Sequence, residues 1–210
     1  MGLLSFLVGV VGISVSGVMM PGPVTATTIA MGARNRYAGA LIAVGHGIVE
    51  FPLMVLIVAG AARLLNSDGA RIAIGIAGGV VLLIMAYQML GAMRDGEQEA
   101  GTAKGTPVMA GIILSAGNPY FLVWWATIGL RLAMEAKSLG VWAFVLFALV
   151  HWLCDICWLS ALSWASHKGS RLLSPRRQKV VLAICAAVVL VFGLLFLGGA
   201  CVLLVKVLLA

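Results

Sequence analysis

The sequence predicts an all-α integral membrane protein with six transmembrane helices arranged as two inverted three-helix repeats. Three observations carry this expectation. The 210-residue chain is 62% hydrophobic and 10% charged, against about 45–50% and about 25% in a soluble domain. Six stretches reach the length of about 20 mostly apolar residues that a bilayer requires. In each half, a stretch broken by proline is followed by an apolar stretch carrying a His-x-x-x-acid pair.

The first predicted span runs from about Leu3 to Ala33, with Pro21-Gly22-Pro23 inside it. Its start resembles a secretory signal, since Leu3 to Ile13 is apolar and Ser14-Val15-Ser16 is small. It lacks a basic beginning, however, and the apolar run continues, so it is read as a retained span. The second span runs from about Tyr37 to Leu65 and the third from Arg71 to Met93. Arg94 to Thr106 is the one long polar stretch, with Asp95, Glu97, Glu99 and two glycines, and reads as a flexible connector. The fourth span covers Val108 to Leu132, the fifth Leu139 to Ser166 and the sixth Val180 to Val205. The whole chain, 1–210, is then one membrane domain, with repeat one at about 1–93 and repeat two at about 107–210.

Charge sets the expected orientation. Loops after spans one, three and five hold nine basic residues: Arg34, Arg36, Arg94, Lys104, Lys168, Arg171, Arg176, Arg177 and Lys179. The opposite side holds five: Arg63, Arg71, Arg131, Lys137 and Lys206. The richer side belongs in the cytoplasm, which puts both termini outside a multi-pass protein of the cell membrane. Three spans per half is an odd number, so homologous halves must be inverted, as in many secondary transporters. The net charge of +7 is spread over short loops and does not suggest nucleic acid. Pro23 lies 96 positions before Pro119 and His46 lies 105 before His151, so the repeat needs an insertion of nine residues.

His46-x-x-x-Glu50 and His151-x-x-x-Asp155 are the most informative motifs. Spacing i, i+4 puts both members of a pair on one helix face. Of 21 charged residues, only Glu50 and Asp155 fall deep inside the predicted spans. A carboxylate at bilayer depth is costly, so it normally faces a bundle interior or cavity and marks a transport route or proton relay. Together with the two imidazoles it can exchange protons near neutral pH or hold a substrate amine. The competing reading is a static polar cluster that glues two helices together.

Pro21-Gly22-Pro23 removes two backbone donors from a helix. A half-helix starting near Pro23 presents free N–H groups and a positive dipole end, suited to a substrate carboxylate. Thr25, Thr27 and Thr28 add hydroxyls. The alternative is a kink that serves packing alone. Gly117-Asn118-Pro119-Tyr120 is the counterpart in span four, where Asn118 can bind substrate or cap the second half-helix. Trp124 and Trp125 follow, as packing residues or as an interfacial belt. The four cysteines, Cys154, Cys157, Cys185 and Cys201, read as buried small apolar residues. Cys154 and Cys157 near His151 invite a metal reading, but no second Cys-x-x-Cys supports it, and no metal is assigned. Gly39-Ala43-Gly47, Gly75-Gly79 and Gly193 with Leu197 and Gly198 allow close helix packing.

At these residues the chain resembles the LysE/RhtB family of amino-acid exporters. Met20-Pro21-Gly22-Pro23 resembles the family's Pro-Gly-Pro signature, and Asn118-Pro119 its Asn-Pro in span four. The basic loop Gly32 to Arg36 and the Gly-rich second span also match. It closely resembles a branch with His-x-x-x-Glu in span two, Asn-Pro-Tyr then Trp-Trp-Ala-Thr-Ile-Gly, and His-x-x-x-Asp in span five. Val24 and Tyr120 depart from the common Asn and Lys at those positions, which are near where the family's substrate is expected. The wider superfamily includes cation exporters and electron carriers of the CcdA type. The latter use cysteines on two helices, whereas Cys154 and Cys157 share one.

The resemblance and the residues together imply a secondary transporter that exports amino acids or related small zwitterions, driven by protons, across the lipid bilayer. Substrate-binding residues are expected at Pro21, Gly22, Pro23, Thr27, Asn118 and Pro119. Proton coupling or amine binding is expected at His46, Glu50, His151 and Asp155. No Walker-type motif is present, and neither enzymatic activity nor a cofactor is expected. A homodimer is compatible with the chain, although no interface motif argues for one. Two rivals stand beside this reading: a divalent-metal exporter using the same four residues with the cysteines, and a non-transporting membrane scaffold.

Overall fold

The computed structural model describes residues 2–20, 22–61, 67–94, 106–172 and 175–209. Every regular element among them is helical. Pro21 and most of the polar connector (95–105) lie outside the described residues.

Span one is two helices, α1 (Leu3–Val18) and α2 (Pro23–Gly32), bent by 75° at the break. Gly22 is extended and Pro23 takes the first helical position, where a missing N–H breaks no helical bond. Helix α3 (Ala38–Leu56) continues through a π-helical turn, Ile57–Ala61, in which Gly60 adopts φ 110°. That left-handed backbone ends the helical run at a residue without a Cβ. Helix α4 covers Asp68–Arg94. Span four is again broken. Helix α5 (Pro107–Ala116) meets α6 (Pro119–Trp124), which runs through a second π turn, Trp125–Gly129, into α7 (Leu130–Ser138). The bend between α5 and the α6–α7 run is 59°. Gly140 (φ 114°) turns the chain into α8 (Val141–Leu172), and α9 (Pro175–Leu209) closes it. Among the described residues, four helices are long and apolar enough to cross a membrane, or up to six spans if each bent pair counts as one. Neither π turn is visible in the sequence pattern.

Helix α3 packs on α5 and α8, α1 packs on α8, α2 packs on α8 and α9, and α4 packs on α9 and α6. Exchanging α1 with α5, α2 with α6–α7, α3 with α8 and α4 with α9 maps these pairings onto one another except α2 on α8, whose counterpart is only a slight contact between α3 and the second π turn. Helix α8 is also stitched to the corner between α2 and α3. Ser163, Ser166 and Ser170 donate to the carbonyls of Arg36, Ile29 and Ala33 at 2.8, 2.7 and 2.7 Å. The Trp152 Nε1–H donates to the Ala43 carbonyl at 2.9 Å. Large apolar side chains such as Leu4, Val8, Tyr87, Trp142 and Leu194 are exposed, as a lipid-facing surface requires.

Close approach fixes the register of the seams. A Cβ on Gly45 would meet the Val108 carbonyl, one on Gly111 the Ile42 carbonyl, and one on Gly39 the Leu159 carbonyl. These are backbone atoms and cannot swing aside. Gly75, Gly79 and Gly193 lie in the α4–α9 seam, whereas Gly198 meets nothing within 4 Å. The cysteines depart from expectation. Cys185 is buried, but Cys154 is half-buried and Cys157 and Cys201 are exposed, and all four are free thiols. An apolar environment here includes the outer face, so an apolar stretch does not by itself bury a residue.

Gly45→Ala and Gly111→Ala are therefore expected to force α3 and α5 apart, at a cost of about 1–3 kcal/mol each. The thermal melting point in detergent should fall by several degrees, while Gly9→Ala, inside α1 with open space around its Cβ, should leave it no lower.

Candidate functional site

Helices α3 and α8 each bring one pair to the same point. The His46 Nε2 lies 3.2 Å from Glu50 Oε1, as the i, i+4 spacing on α3 demands. The His151 Nε2 reaches across from α8 to the same oxygen, also at 3.2 Å. Asp155 stands 3.8 Å from His46 Nε2 through Oδ1 and 3.7 Å from His151 Nε2 through Oδ2. All four side chains are buried, Glu50 completely so.

Two serines hold the far side of the rings. Ser115 Oγ, on α5, is 2.6 Å from His46 Nδ1. Ser14 Oγ, on α1, is 2.7 Å from His151 Nδ1. Each serine belongs to the first half of a broken span, so the two contacts are counterparts under the exchange of halves. Ser115 spends its own hydrogen on the Gly111 carbonyl at 2.6 Å. It therefore accepts from His46, which fixes the proton on Nδ1 and turns Nε2 toward Glu50. A hydrogen bond between that Nε2 and Glu50 then needs one more proton, carried by the ring or by the acid. The same tautomer at His151 brings a second. With two such protons the two carboxylates and two rings are electrically neutral together, which avoids the cost of several kcal/mol per uncompensated buried ion.

Aromatic rings wall the cluster. Trp124 stacks on His151 with centroids 5.3 Å apart, Trp125 meets it edge-on at 5.1 Å, and Phe121 meets His46 edge-on at 4.8 Å. Trp125 is fully buried, so it serves packing around the site and not an interfacial belt.

A cavity of about 110 Å³ lies against the four side chains and both serines. Since one water needs roughly 10–15 Å³ on this measure, the space suits a few waters or one small solute. Both helix breaks reach it, through Gly22 and Pro23 on one side and Asn118 on the other. The sequence-based site residues divide accordingly. Gly22, Pro23, Asn118, His46, Glu50, His151 and Asp155 line one cavity. Pro119 begins α6 beside it, and Pro21 lies outside the described residues. Thr27 is buried on α2 but does not line the cavity, and Thr25 lines it instead.

The two half-helix starts differ. Asn118 caps α6, its Oδ1 accepting from the Tyr120 and Phe121 amides at 3.0 and 3.4 Å. Helix α2 has no side-chain cap, so its first amides keep no partner within the helix. Ser14 and Ser115 escaped the sequence reading. Their only signal is a small polar residue in an apolar run shortly before each break.

A bundle of membrane-length helices with a buried ionisable cluster set against two broken spans defines a membrane transporter. The family model of the LysE type translocator matches residues 15–199, and the chain belongs to that family. No match was found among curated proteins or among solved structures.

Asn118→Ala should cost about 0.5–2 kcal/mol by removing the cap, and Asn118→Asp should recover most of it. Thermal unfolding of both variants in one detergent checks the order.

Proposed function

We propose that this protein is a proton-coupled secondary transporter that exports amino acids or related small zwitterions. The observation that carries the reading is the convergence of His46, Glu50, His151 and Asp155, from two different spans, on a cavity bounded by both helix breaks. Membership in a translocator family supplies the class of activity.

The solute's carboxylate goes to the start of α2, where uncapped amides and the dipole end favour an anion. The start of α6 serves less well, because Asn118 already takes its amides. Gly22 lets the solute come close to the backbone, and Pro23 and Pro119 fix the half-helix starts. Thr25 takes the role first given to Thr27. The solute's ammonium faces Glu50 and Asp155. Binding of an ammonium there supplies the positive charge that protons otherwise provide, so solute and proton compete for one neutralising role. That competition is a physical basis for coupled exchange.

The two halves act as inverted repeats, rocking about the cluster at their interface. The exchange-symmetric helix pairings and the paired Ser–His contacts support this arrangement. The basic loops orient the protein with both termini outside the cell membrane.

Purified protein in proteoliposomes should accumulate at least one amino acid from a radiolabelled panel when a pH gradient is imposed. Glu50→Gln and Asp155→Asn should each lower that accumulation at least tenfold while still inserting and remaining monodisperse. Normal gradient-driven flux in both variants would contradict the coupling role and favour a structural cluster.

A further inference from the structure

We propose that His46, Glu50, Asp155 and His151 form a binding site for a divalent transition-metal ion. The ion would take the two carboxylates that the preceding reading gives to the proton and the solute's ammonium, so each excludes the other, and the ligands are the four side chains of the cluster without Cys154 and Cys157. Those cysteines line a separate groove with Val11, Val15 and Trp158 that none of the four residues enters.

The ligand spacing fits. Tetrahedral ligation at about 2.0–2.1 Å places ligand atoms roughly 3.3 Å apart. Both imidazole-to-Glu50 distances are 3.2 Å, and the imidazole-to-Asp155 distances are 3.8 and 3.7 Å. One ligand atom each from His46, Glu50 and Asp155 lies within 4.8 Å of the others. His151 stands outside that group of three, and its Nε2, 3.2 Å from Glu50 Oε1 and 3.7 Å from Asp155 Oδ2, would supply the fourth ligand by moving toward it.

The donor chemistry fits as well. Two imidazoles and two carboxylates suit an ion of the manganese-to-zinc series and disfavour calcium or magnesium, which prefer all-oxygen sites. Two carboxylates balance a 2+ charge in an apolar interior. Metal-bound histidines usually donate their other ring N–H to a fixed acceptor, which orients the ring. Ser115 is that acceptor for His46, because its own hydrogen is given to Gly111. Ser14 stands in the same place for His151.

A separate observation points to a ligand. Glu50 Oε2 and Asp155 Oδ2 are buried and make no hydrogen bond among the described residues. Each belongs to a side chain at least nine-tenths buried and set into the cluster. Buried carboxylate oxygens without donors are uncommon, and an ion that takes both oxygens of Glu50 together with Oδ2 of Asp155 would satisfy them.

The test is titration of purified, detergent-solubilised protein with cobalt chloride alone, with no gradient and no amino acid present. We expect visible absorption bands of four-coordinate cobalt that saturate at one ion per chain and are displaced by zinc. Asp155→Asn and His46→Gln should each weaken cobalt binding at least a hundredfold. Ser115→Ala, which keeps every ligand, should weaken it about tenfold or more. Cys154→Ser with Cys157→Ser should change nothing. Absence of a saturable spectrum in the folded protein would overturn the proposal, as would a spectrum that survives both ligand variants or vanishes with the cysteines. Should the ligand variants fail to fold, unchanged affinity in Ser115→Ala overturns it. Because no transport is measured, failure here leaves the amino-acid reading standing, and a silent amino-acid panel leaves this site standing.

Discussion

Two carboxylates stand in the interior of an apolar bundle, and neither can be there alone. An unpaired buried charge costs several kcal/mol, so Glu50 and Asp155 need cations or protons within reach. His46 and His151 supply them from both sides, with Glu50 Oε1 shared between the two rings at 3.2 Å. The rings in turn need their orientation held, and Ser115 and Ser14 hold it. Six side chains from α1, α3, α5 and α8 thus form one connected polar unit. Moving α3 or α8 by an ångström or two would break several of these contacts at once, and moving α1 or α5 would release one histidine ring.

The rest of the architecture meets that requirement. Glycine seams let α3 approach α5 and α8 closely, near enough for the short side chain of Ser115 to reach the His46 ring. The breaks before Pro23 and at Asn118–Pro119 interrupt spans one and four beside the cluster and leave backbone polar groups facing a cavity. Broken backbone at membrane depth is tolerated where it lines such a space. Trp124, Trp125 and Phe121 then close the cluster against the apolar core. A polar site, two helix starts and a small cavity are brought together without any long polar loop.

Much of this was legible in the sequence because membrane burial makes polar residues conspicuous. Glu50 and Asp155 stood out as the only deep charges, the i, i+4 spacing tied each to its histidine, and the prolines marked both breaks. Other features were not legible, for identifiable reasons. The meeting of the two pairs depends on the rotation of α3 against α8, which backbone-to-glycine contacts set and no periodicity encodes. Serines are common in membrane helices, so Ser14 and Ser115 carried no distinguishing mark. Thr25 and Thr27 stand two residues apart, about 200° around α2, so only one of them faces the cavity, and the sequence does not say which. Cysteine faces were misjudged because lipid-exposed and core positions have the same composition. The π turns at Ile57–Ala61 and Trp125–Gly129 leave the hydrophobic pattern unchanged.

The central claim is that one neutralising role at Glu50 and Asp155 is shared between proton and solute. Its most direct measurement is the lumenal pH of proteoliposomes, followed with a trapped dye while a concentration gradient of the solute that the radiolabelled panel identifies is applied and no pH gradient is imposed. Downhill solute movement should shift the lumenal pH in the wild-type protein. In Glu50→Gln the solute should still exchange across the membrane with no shift. Solute movement through the wild-type protein without any change in lumenal pH would contradict the account.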